Sequence, residues 1–536
     1  MNAFENDPVV GLDGARRMSH GEQLGRAART TPGRIAFRFE NRERTYAEVD
    51  ERVTRLARGL ARRGIGYGDR VAILMTNRIE VLESYFAAHR LGAIAVPVNF
   101  RLTASEAAFI IEDSGAKAII VDAELAPLVG KVRTLAGPGM SSLVCLVAGE
   151  VPEQAGPGAE RYEDVLASSP AEELVIDVPE SDPAFIMYTS GTTGRPKGAI
   201  LSHFNLMINT FNMMSAMGMS GDDTVWLSGL PLFHIGCLDG ILPYVMVGGT
   251  SVILPSGPFD AAQSVELLVS EPATACLFVP AQWQAICAVP GVKDRLFNLR
   301  RILTGGAVAP PSVMRAMMGS FPGIPIYNGF GQTEMSAVTC VLRGEDTVRK
   351  MDSVGRPIVN VEARLVDADM RDVPVGAVGE IVYRGPTVMQ GYWGRPEATR
   401  EAFAGGWFHS GDLCRMDGEG YLRVVDRTKD MIISGGENIY CAEVEAVIDG
   451  HAKVKEVALI GVADEKWGET PVAIIVPADS SDPPSEDEII AYCRDQLASY
   501  KKPTAVILVD ELPRNASGKV LKTRLREQFG GTFGHR

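Results

Sequence analysis

The sequence predicts an α/β protein of several subdomains, and three observations carry that prediction. Strand-like and helix-like runs alternate over about the first 300 residues, the pattern of a mostly parallel sheet with crossover helices. After Met351 the runs shorten into strands with close turns, a β-rich texture. Beyond Lys429 helices and strands mix over about a hundred residues, an ordinary domain size. At 536 residues the chain exceeds what one core accommodates, so roughly two to four domains are expected.

In chain order, the first twenty residues show no period. "RIAFRFE" (34–40) reads as a strand. A helix follows, opened by the capping pair Thr45 and Glu48, with Val49, Val53, Leu56 and Leu60 spaced to face a core. "RVAILMT" (70–76) is a strand, the next helix runs to Leu91, and "AIAVPVN" (93–99) is another strand. Phe204, Met207, Ile208 and Phe211 keep helical spacing and read as core. Residues 240–259 carry no charge, but three prolines and four glycines interrupt them, so they read as a buried helix, a Gly-Gly turn and a buried strand, not a membrane span. "GEIVYRG" (379–385) and "GYLRVVDRT" (420–428) are the short strands. A helix near 441–448, strands at 454–464 and 471–477, and a helix capped by Ser485 and Glu488 make up the last unit.

Composition is that of a globular protein, 46% hydrophobic and 22% charged. A net charge of −14 without a basic cluster argues against a nucleic-acid partner. The eight cysteines are scattered, none in a CxxC, and no secretory signal opens the chain; reduced thiols and a cytoplasmic location are expected. No GxGxxG marks a dinucleotide site.

"MYTSGTTGRPKGAI" (187–200) is the most unusual stretch. It lacks the Gly-Lys-Ser/Thr ending of a P-loop, because Lys197 is followed by Gly198. A glycine-rich loop between two apolar strands exposes backbone N–H groups, and four hydroxyls and a Lys add donors suited to an oligophosphate. The composition alone fits a flexible surface turn equally well. Further polar stretches bear on that choice. Glu334 in "YNGFGQTE" is a sensible Mg²⁺ ligand beside a phosphate cradle. Asp412 in "WFHSGDL" follows a glycine and suits ribose hydroxyls.

Seven motifs occur in order: "YTSGTTGRPKG", "PLFH", "YNGFGQTE", "VGRP", "WFHSGDL", "DRTKDMIISGGENI" and "NASGKV". In these the chain resembles the adenylate-forming superfamily of acyl- and aryl-CoA synthetases, nonribosomal adenylation domains and beetle luciferases. The likeness runs from Thr45 to Lys519. It implies an acyl-CoA synthetase-like fold. A large N-terminal domain (1–428) would hold two α/β subdomains plus a small β-barrel-like subdomain, and a small mobile α+β domain (429–536) would follow. It implies adenylation of a carboxylic acid by ATP with Mg²⁺, then acyl transfer to a thiol.

By that resemblance, Thr189, Ser190, Gly191, Thr192, Thr193, Gly194 and Lys197 would hold the β- and γ-phosphates. Thr333 would contact the α-phosphate and Glu334 the Mg²⁺. Adenine would lie between Gly305-Gly306-Ala307 and Asn328-Gly329-Phe330, with Asp412 and Arg427 on the ribose. Lys519 would bridge the acid's carboxylate and the α-phosphate, where charge concentrates during attack. Lys429 would be a hinge. Ser434, Gly435, Gly436, Glu437, Trp467 and Lys502 match positions lining a CoA site; taken alone, Trp467 fits a packing residue and Lys502 a surface charge. No carrier domain follows Lys519, so free CoA is the expected acceptor.

The acid pocket would include His234, Gly236, Cys237 and Trp283, the last either closing a tunnel or packing behind it. Amino-acid-activating relatives carry Asp where His234 stands, which argues against an amino acid. No Lys or Arg lies between Pro231 and Phe259, which argues against a dicarboxylate. A medium- or long-chain fatty acid is expected first, an aryl acid such as a benzoate or hydroxycinnamate second. Delivery to a carrier protein and a luciferase-like oxygenase are further alternatives. The role of Asp239 and a homodimer are left open.

Overall fold

The computed structural model describes residues 17–136, 142–172, 174–189, 195–221, 223–307, 309–435, 437–464, 466–494, 496–514 and 520–530. Among these, two large sheets carry most of the chain before residue 350. One has eight strands in the order 391–392, 197–202, 183–189, 94–97, 70–74, 116–122, 144–148 and 159–161. It is parallel from Pro183–Thr189 outward to Ala159–Arg161. It turns antiparallel where Pro183–Thr189 meets Lys197–Ser202. The second has nine strands in the order 356–357, 337–342, 326–332, 301–305, 275–278, 225–228, 250–253, 35–39 and 42–45. Its centre is parallel, as alternation of strand and helix predicts, and both of its edges are antiparallel.

The helices form where capping and apolar spacing place them. Tyr46–Ala61 begins with a complete capping box, Thr45 accepting from the Glu48 N–H and Glu48 reaching back to the Thr45 N–H. Its stripe of Val49, Val53, Leu56 and Leu60 is fully buried. Each such side chain contributes about 1.5–3 kcal/mol, so Leu56→Ala would cost at least that much. Ala104–Ser114 repeats the device with Thr103 and Glu106, and stops at Gly115, whose φ of +63° ends the helix in the left-handed region. One apolar core joins the two sheets, running from Leu24 and Val53 through Phe185 and Trp226 to Ile381.

Residues 240–259 form the end of the helix Ile235–Met246, a turn through Gly248 and Gly249, and the buried strand Thr250–Ile253. No helix among the described residues is long and apolar enough to cross a membrane. The helix His203–Met217 corrects one expectation. Its buried stripe runs through His203, Leu206, Met207, Thr210 and Met213, while Phe204 and Phe211 are exposed at 44% and 41%. The capping box at Ser202 fixes where the helix begins, and packing against Ile235–Met246 selects the other face.

Three helices bring His20, His89 and His203 together in the core, their rings edge to face with centroids 5.0–5.5 Å apart. Burial without a carboxylate partner holds all three imidazoles below their ordinary range, His20 at about 4. The eight cysteines are all unpaired, and all but Cys287 are buried.

The β-rich stretch forms a four-stranded antiparallel sheet in the order 362–366, 378–384, 408–416 and 422–427. A turn at 428–430 leads from it to a five-stranded sheet built from 432–434, 437–439, 454–464, 468–477 and 505–508. The helices Cys441–Asp449, Glu486–Arg494 and Lys522–Phe529 accompany that last sheet.

Candidate functional site

The loop at 188–198 springs from an antiparallel strand pair in which Thr189 faces Lys197 and Tyr188 faces Gly198. Gly198 is required there, because a Cβ would lie 2.5 Å from the Ile186 side chain. Tyr188 anchors the loop's base by donating its hydroxyl to Asp113 at 2.8 Å, and Arg395 pairs with the other oxygen of that carboxylate. Ser190, Gly191, Thr192, Thr193 and Gly194 lie outside the described residues.

The two ends of the loop meet the stretch "YNGFGQTE" directly. Glu334 sits in a single helical turn, Thr333–Met335, at the end of the strand Ile326–Gln332. Its carboxylate oxygen Oε1 accepts from Thr189 Oγ1 at 3.1 Å and from the Tyr392 hydroxyl at 3.1 Å. The ring of Tyr392 in turn lies beneath Lys197, with Nζ 5.2 Å from its centroid. Thr189, Lys197 and Glu334 are therefore neighbours, and Thr333 precedes Glu334 in the same turn. The backbone after Glu334 is strained, Ser336 and Ala337 having φ of +60° and +100°. Gly331 opposite is obligatory, since a Cβ there would overlap the Ala337 carbonyl oxygen.

Gly305, at the carboxyl end of its strand, is paired in register with Gly329 of the adjacent parallel strand. A Cβ on Gly305 would lie 2.8 Å from the Gly329 carbonyl oxygen. The exposed Gly306 and Ala307 continue from that flat ledge, at the carboxyl edge where α/β sheets bind ligands. Asn328 is buried, its amide donating to the Ser353 carbonyl at 3.3 Å, while Phe330 is partly exposed. On the four-stranded sheet Asp412 and Arg427 are cross-strand partners, joined by an ion pair of 2.8 Å. Asp412 is 2% exposed.

His234 caps the helix Ile235–Met246, its Nδ1 accepting from the Gly236 N–H at 3.1 Å. That hydrogen bond assigns the imidazole proton to Nε2, and burial holds the ring below its ordinary pKa, so it is neutral. Gly236 sits beside it, partly exposed. Cys237 and Trp283, both expected at the acid pocket, are buried. Cys237 is buried against Trp226, Ser228 and Ile241, and burial pushes its thiol up to about 12. Trp283 is fully buried, donates its indole N–H to Leu303 at 2.9 Å and packs between Phe278 and Phe321. It packs behind the strand Arg301–Gly305; an aromatic of that size is drawn into the core once its N–H finds a backbone acceptor.

Asp239 turns inward from the same helix. It is 6% exposed, accepts from the Asn209 amide at 2.8 Å, and burial holds its carboxyl well above the usual range. The Asn209 amide also donates to the Ser336 carbonyl at 2.6 Å, so Asp239 is tied to the turn that carries Glu334.

In the last unit, Ser434 and Glu437 pair across the turn that contains Gly435. Trp467 stands over that turn: the Gly435 N–H donates to the Trp467 carbonyl at 2.7 Å, and a Cβ on Gly435 would lie 2.7 Å from the indole. Trp467 remains 49% exposed. Lys502 is half-buried, two residues before Thr504, whose N–H bonds to Pro471. Gly436 and Lys519 lie outside the described residues. Lys429 is exposed in the turn at 428–430, and the residues on either side of it are held by contacts. Before it, Asp426 accepts from the Cys441 N–H; after it, Asp430 pairs with Arg526 at 2.9 Å.

A single carboxylate among hydroxyls suits Mg²⁺, which takes oxygen ligands and typically binds one or two carboxylates plus substrate phosphates. The sequence alone did not reveal Tyr392, although an aromatic directly after the glycine of "QGYWGRP" was a signal available to find it.

Comparisons with known proteins identify the family. The family described as AMP-binding enzyme matches residues 24–393, and the AMP-binding enzyme C-terminal domain matches 443–519. The chain is 41% identical to a feruloyl-CoA synthase of an Amycolatopsis species, over 94% of this chain and 98% of the relative. It is 40% identical to a long-chain-fatty-acid–CoA ligase of Mycobacterium tuberculosis, over 91% and 93%. Among solved structures, the o-succinylbenzoate CoA synthetase of Bacillus subtilis in complex with its acyl-adenylate intermediate superposes with a TM-score of 0.82. That match has 31% identity and covers 95% of this chain and 99% of the other.

Proposed function

The chain belongs to the AMP-binding enzyme family, and from that premise we propose that it is an AMP-forming acid–CoA ligase acting on an apolar carboxylic acid. The observation that carries the reading is the convergence of Thr189, Lys197 and Glu334 at the base of the glycine-rich loop. Close homology to CoA ligases over nearly the whole chain supports it.

The residues divide the work as follows. The loop and Lys197 hold the terminal phosphates, the glycine ledge receives adenine, and Asp412 accepts from the ribose hydroxyls while Arg427 fixes its orientation. Glu334 would hold Mg²⁺, which would supply neutralisation of the phosphate charge. The acid's carboxylate oxygen attacks the α-phosphorus, the bond to the bridging oxygen breaks, and pyrophosphate leaves. Lys519 and Thr333 stabilise the charge that develops. The CoA sulfur then attacks the acyl carbon, the acyl–phosphate bond breaks, AMP leaves with its electron pair, and the thiol proton passes to solvent. His234, with its proton on Nε2, donates to the acid's carboxyl and orients it. The turn at Lys429 rotates between the two steps, bringing Trp467, Ser434, Glu437 and Lys502 to the thiol's path.

The acid is a medium- or long-chain fatty acid in the first reading. An aryl acid is the second, supported by the feruloyl-CoA synthase relative. A cytoplasmic location follows from CoA as co-substrate, and a homodimer is compatible with these assignments. Mass spectrometry of products from MgATP and pooled fatty and aryl acids, with and without CoA, tests the reading. Acyl-CoA appearing only with CoA supports it, and the enriched masses name the acid. Acyl-AMP alone in both tubes would overturn CoA as acceptor.

A further inference from the structure

We propose that Tyr392 is a positioning residue for the adenylation step, holding Glu334 for the cation with its hydroxyl and Lys197 for the phosphates with its ring. The inference rests on the reading of Glu334 as the Mg²⁺ ligand. Three observations converge on it. The Tyr392 hydroxyl and Thr189 Oγ1 donate to the same oxygen of Glu334, each at 3.1 Å, so one lobe of the carboxylate is fixed by two neutral donors. The ring of that tyrosine faces Lys197 Nζ at 5.2 Å, a cation–π distance. Tyr392 itself is held by a strand pairing and a side-chain acceptor, and its segment is tied to Glu334. It pairs with Ala199 on the strand that bears Lys197, its N–H donates to Thr399 Oγ1 at 2.9 Å, and the Met389 N–H three residues earlier donates to the Glu334 carbonyl at 2.8 Å.

The rigidity of that clamp argues against a purely structural role. A tyrosine placed only for packing needs one hydrogen-bond acceptor, and a backbone carbonyl usually provides it. Here the acceptor is a carboxylate in the turn that also carries Thr333, and the ring contact is to the one lysine of the loop. Two opposite charges at the phosphate end of the site are thereby kept apart and aimed, instead of collapsing into an ion pair. Partners of this kind, which orient a metal-binding side chain, typically change metal affinity or activity about 10- to 100-fold when removed.

The test uses the full-length protein, Mn²⁺ as a spectroscopic substitute for Mg²⁺, and a non-hydrolysable ATP analogue. Paramagnetic resonance reads bound Mn²⁺, and calorimetry in chelator reads analogue binding without metal. For Tyr392→Phe, which keeps the ring, Mn²⁺ affinity should fall about 10-fold while metal-free analogue affinity stays at the wild-type value. For Tyr392→Leu, metal-free affinity should fall as well, because Lys197 loses its platform. Wild-type Mn²⁺ affinity in Tyr392→Phe overturns the inference. A Glu334→Gln variant separates this from the underlying reading: if it binds Mn²⁺ as wild type does, the assignment of Glu334 fails and the inference with it. If wild-type protein does not bind the analogue, the proposed function fails first.

Discussion

Asp412 and Arg427 face one another across adjacent antiparallel strands, with the guanidinium Nε 2.8 Å from the carboxylate Oδ1. The pair is rigid because register places it and burial of Asp412 removes competing water. Removing Asp412 takes away the acceptor proposed for the ribose hydroxyls and leaves the one-third-exposed Arg427 without its carboxylate. Asp412→Ala should therefore raise KM for ATP by at least about 10-fold, a loss of roughly 1.4 kcal/mol, with a smaller effect on KM for the acid. Initial-rate kinetics of pyrophosphate release checks this, and an unchanged KM for ATP removes Asp412 from the ribose site.

Lys519→Ala should lower acyl-adenylate formation by about 100- to 1,000-fold, the usual loss when one charge-stabilising donor is removed. Thioester formation from supplied acyl-AMP should persist near the wild-type rate. Single-turnover assays of the two half-reactions distinguish the outcomes. Equal loss in both would mean that Lys519 supports the fold or CoA binding instead.

The turn at 428–430 is spanned by a contact that must break if it rotates, the bond from the Cys441 N–H to Asp426. Lys429→Pro should slow thioester formation more than adenylation, by fixing the backbone dihedral that moves. The ratio of half-reaction rates measures this, and a ratio equal to wild type in Lys429→Pro removes the hinge.

Stability should fall with acid well before the carboxylates titrate. His20, His89 and His203 are held neutral in the fold, while in the unfolded chain each titrates near 6.5. Between those values the unfolded state binds more protons, so stability is complete above pH 6.5 and declines as pH falls toward 4. His20 alone accounts for up to about 3 kcal/mol over that window. Thermal unfolding followed from pH 8 to 4 should show this slope, and His20→Gln should flatten it. A profile unchanged in that variant would rule out the histidine cluster as its source.

Much of the fold was legible because its signals are local. The capping boxes at Thr45 and at Ser485 with Glu488 appear as read, the strand at 454–464 lies where it was read, and the strand read at 471–477 begins three residues earlier, at Gly468. The loop's placement between paired strands was local in the same way. The parts that escaped depend on residues distant in sequence. Tyr392 meets Glu334 from 58 positions away. Trp283 is committed to the core by a carbonyl on another strand. Asp239, which periodicity could not place, is explained only by Asn209 on a neighbouring helix. On His203–Met217 two apolar stripes compete, and only the partner helix decides which is covered.

The burial of the cysteines has a practical consequence for anyone measuring this reaction. CoA brings a thiol into solution and its product removes it, so a colourimetric thiol reagent can follow turnover continuously. Such assays commonly suffer from the protein's own sulfhydryls. Here seven of eight are enclosed by the fold and only Cys287 is partly accessible, so the native protein should contribute a background of at most one slowly reacting group per chain. The same reagent then doubles as a gauge of integrity, because eight equivalents become titratable only when the molecule opens.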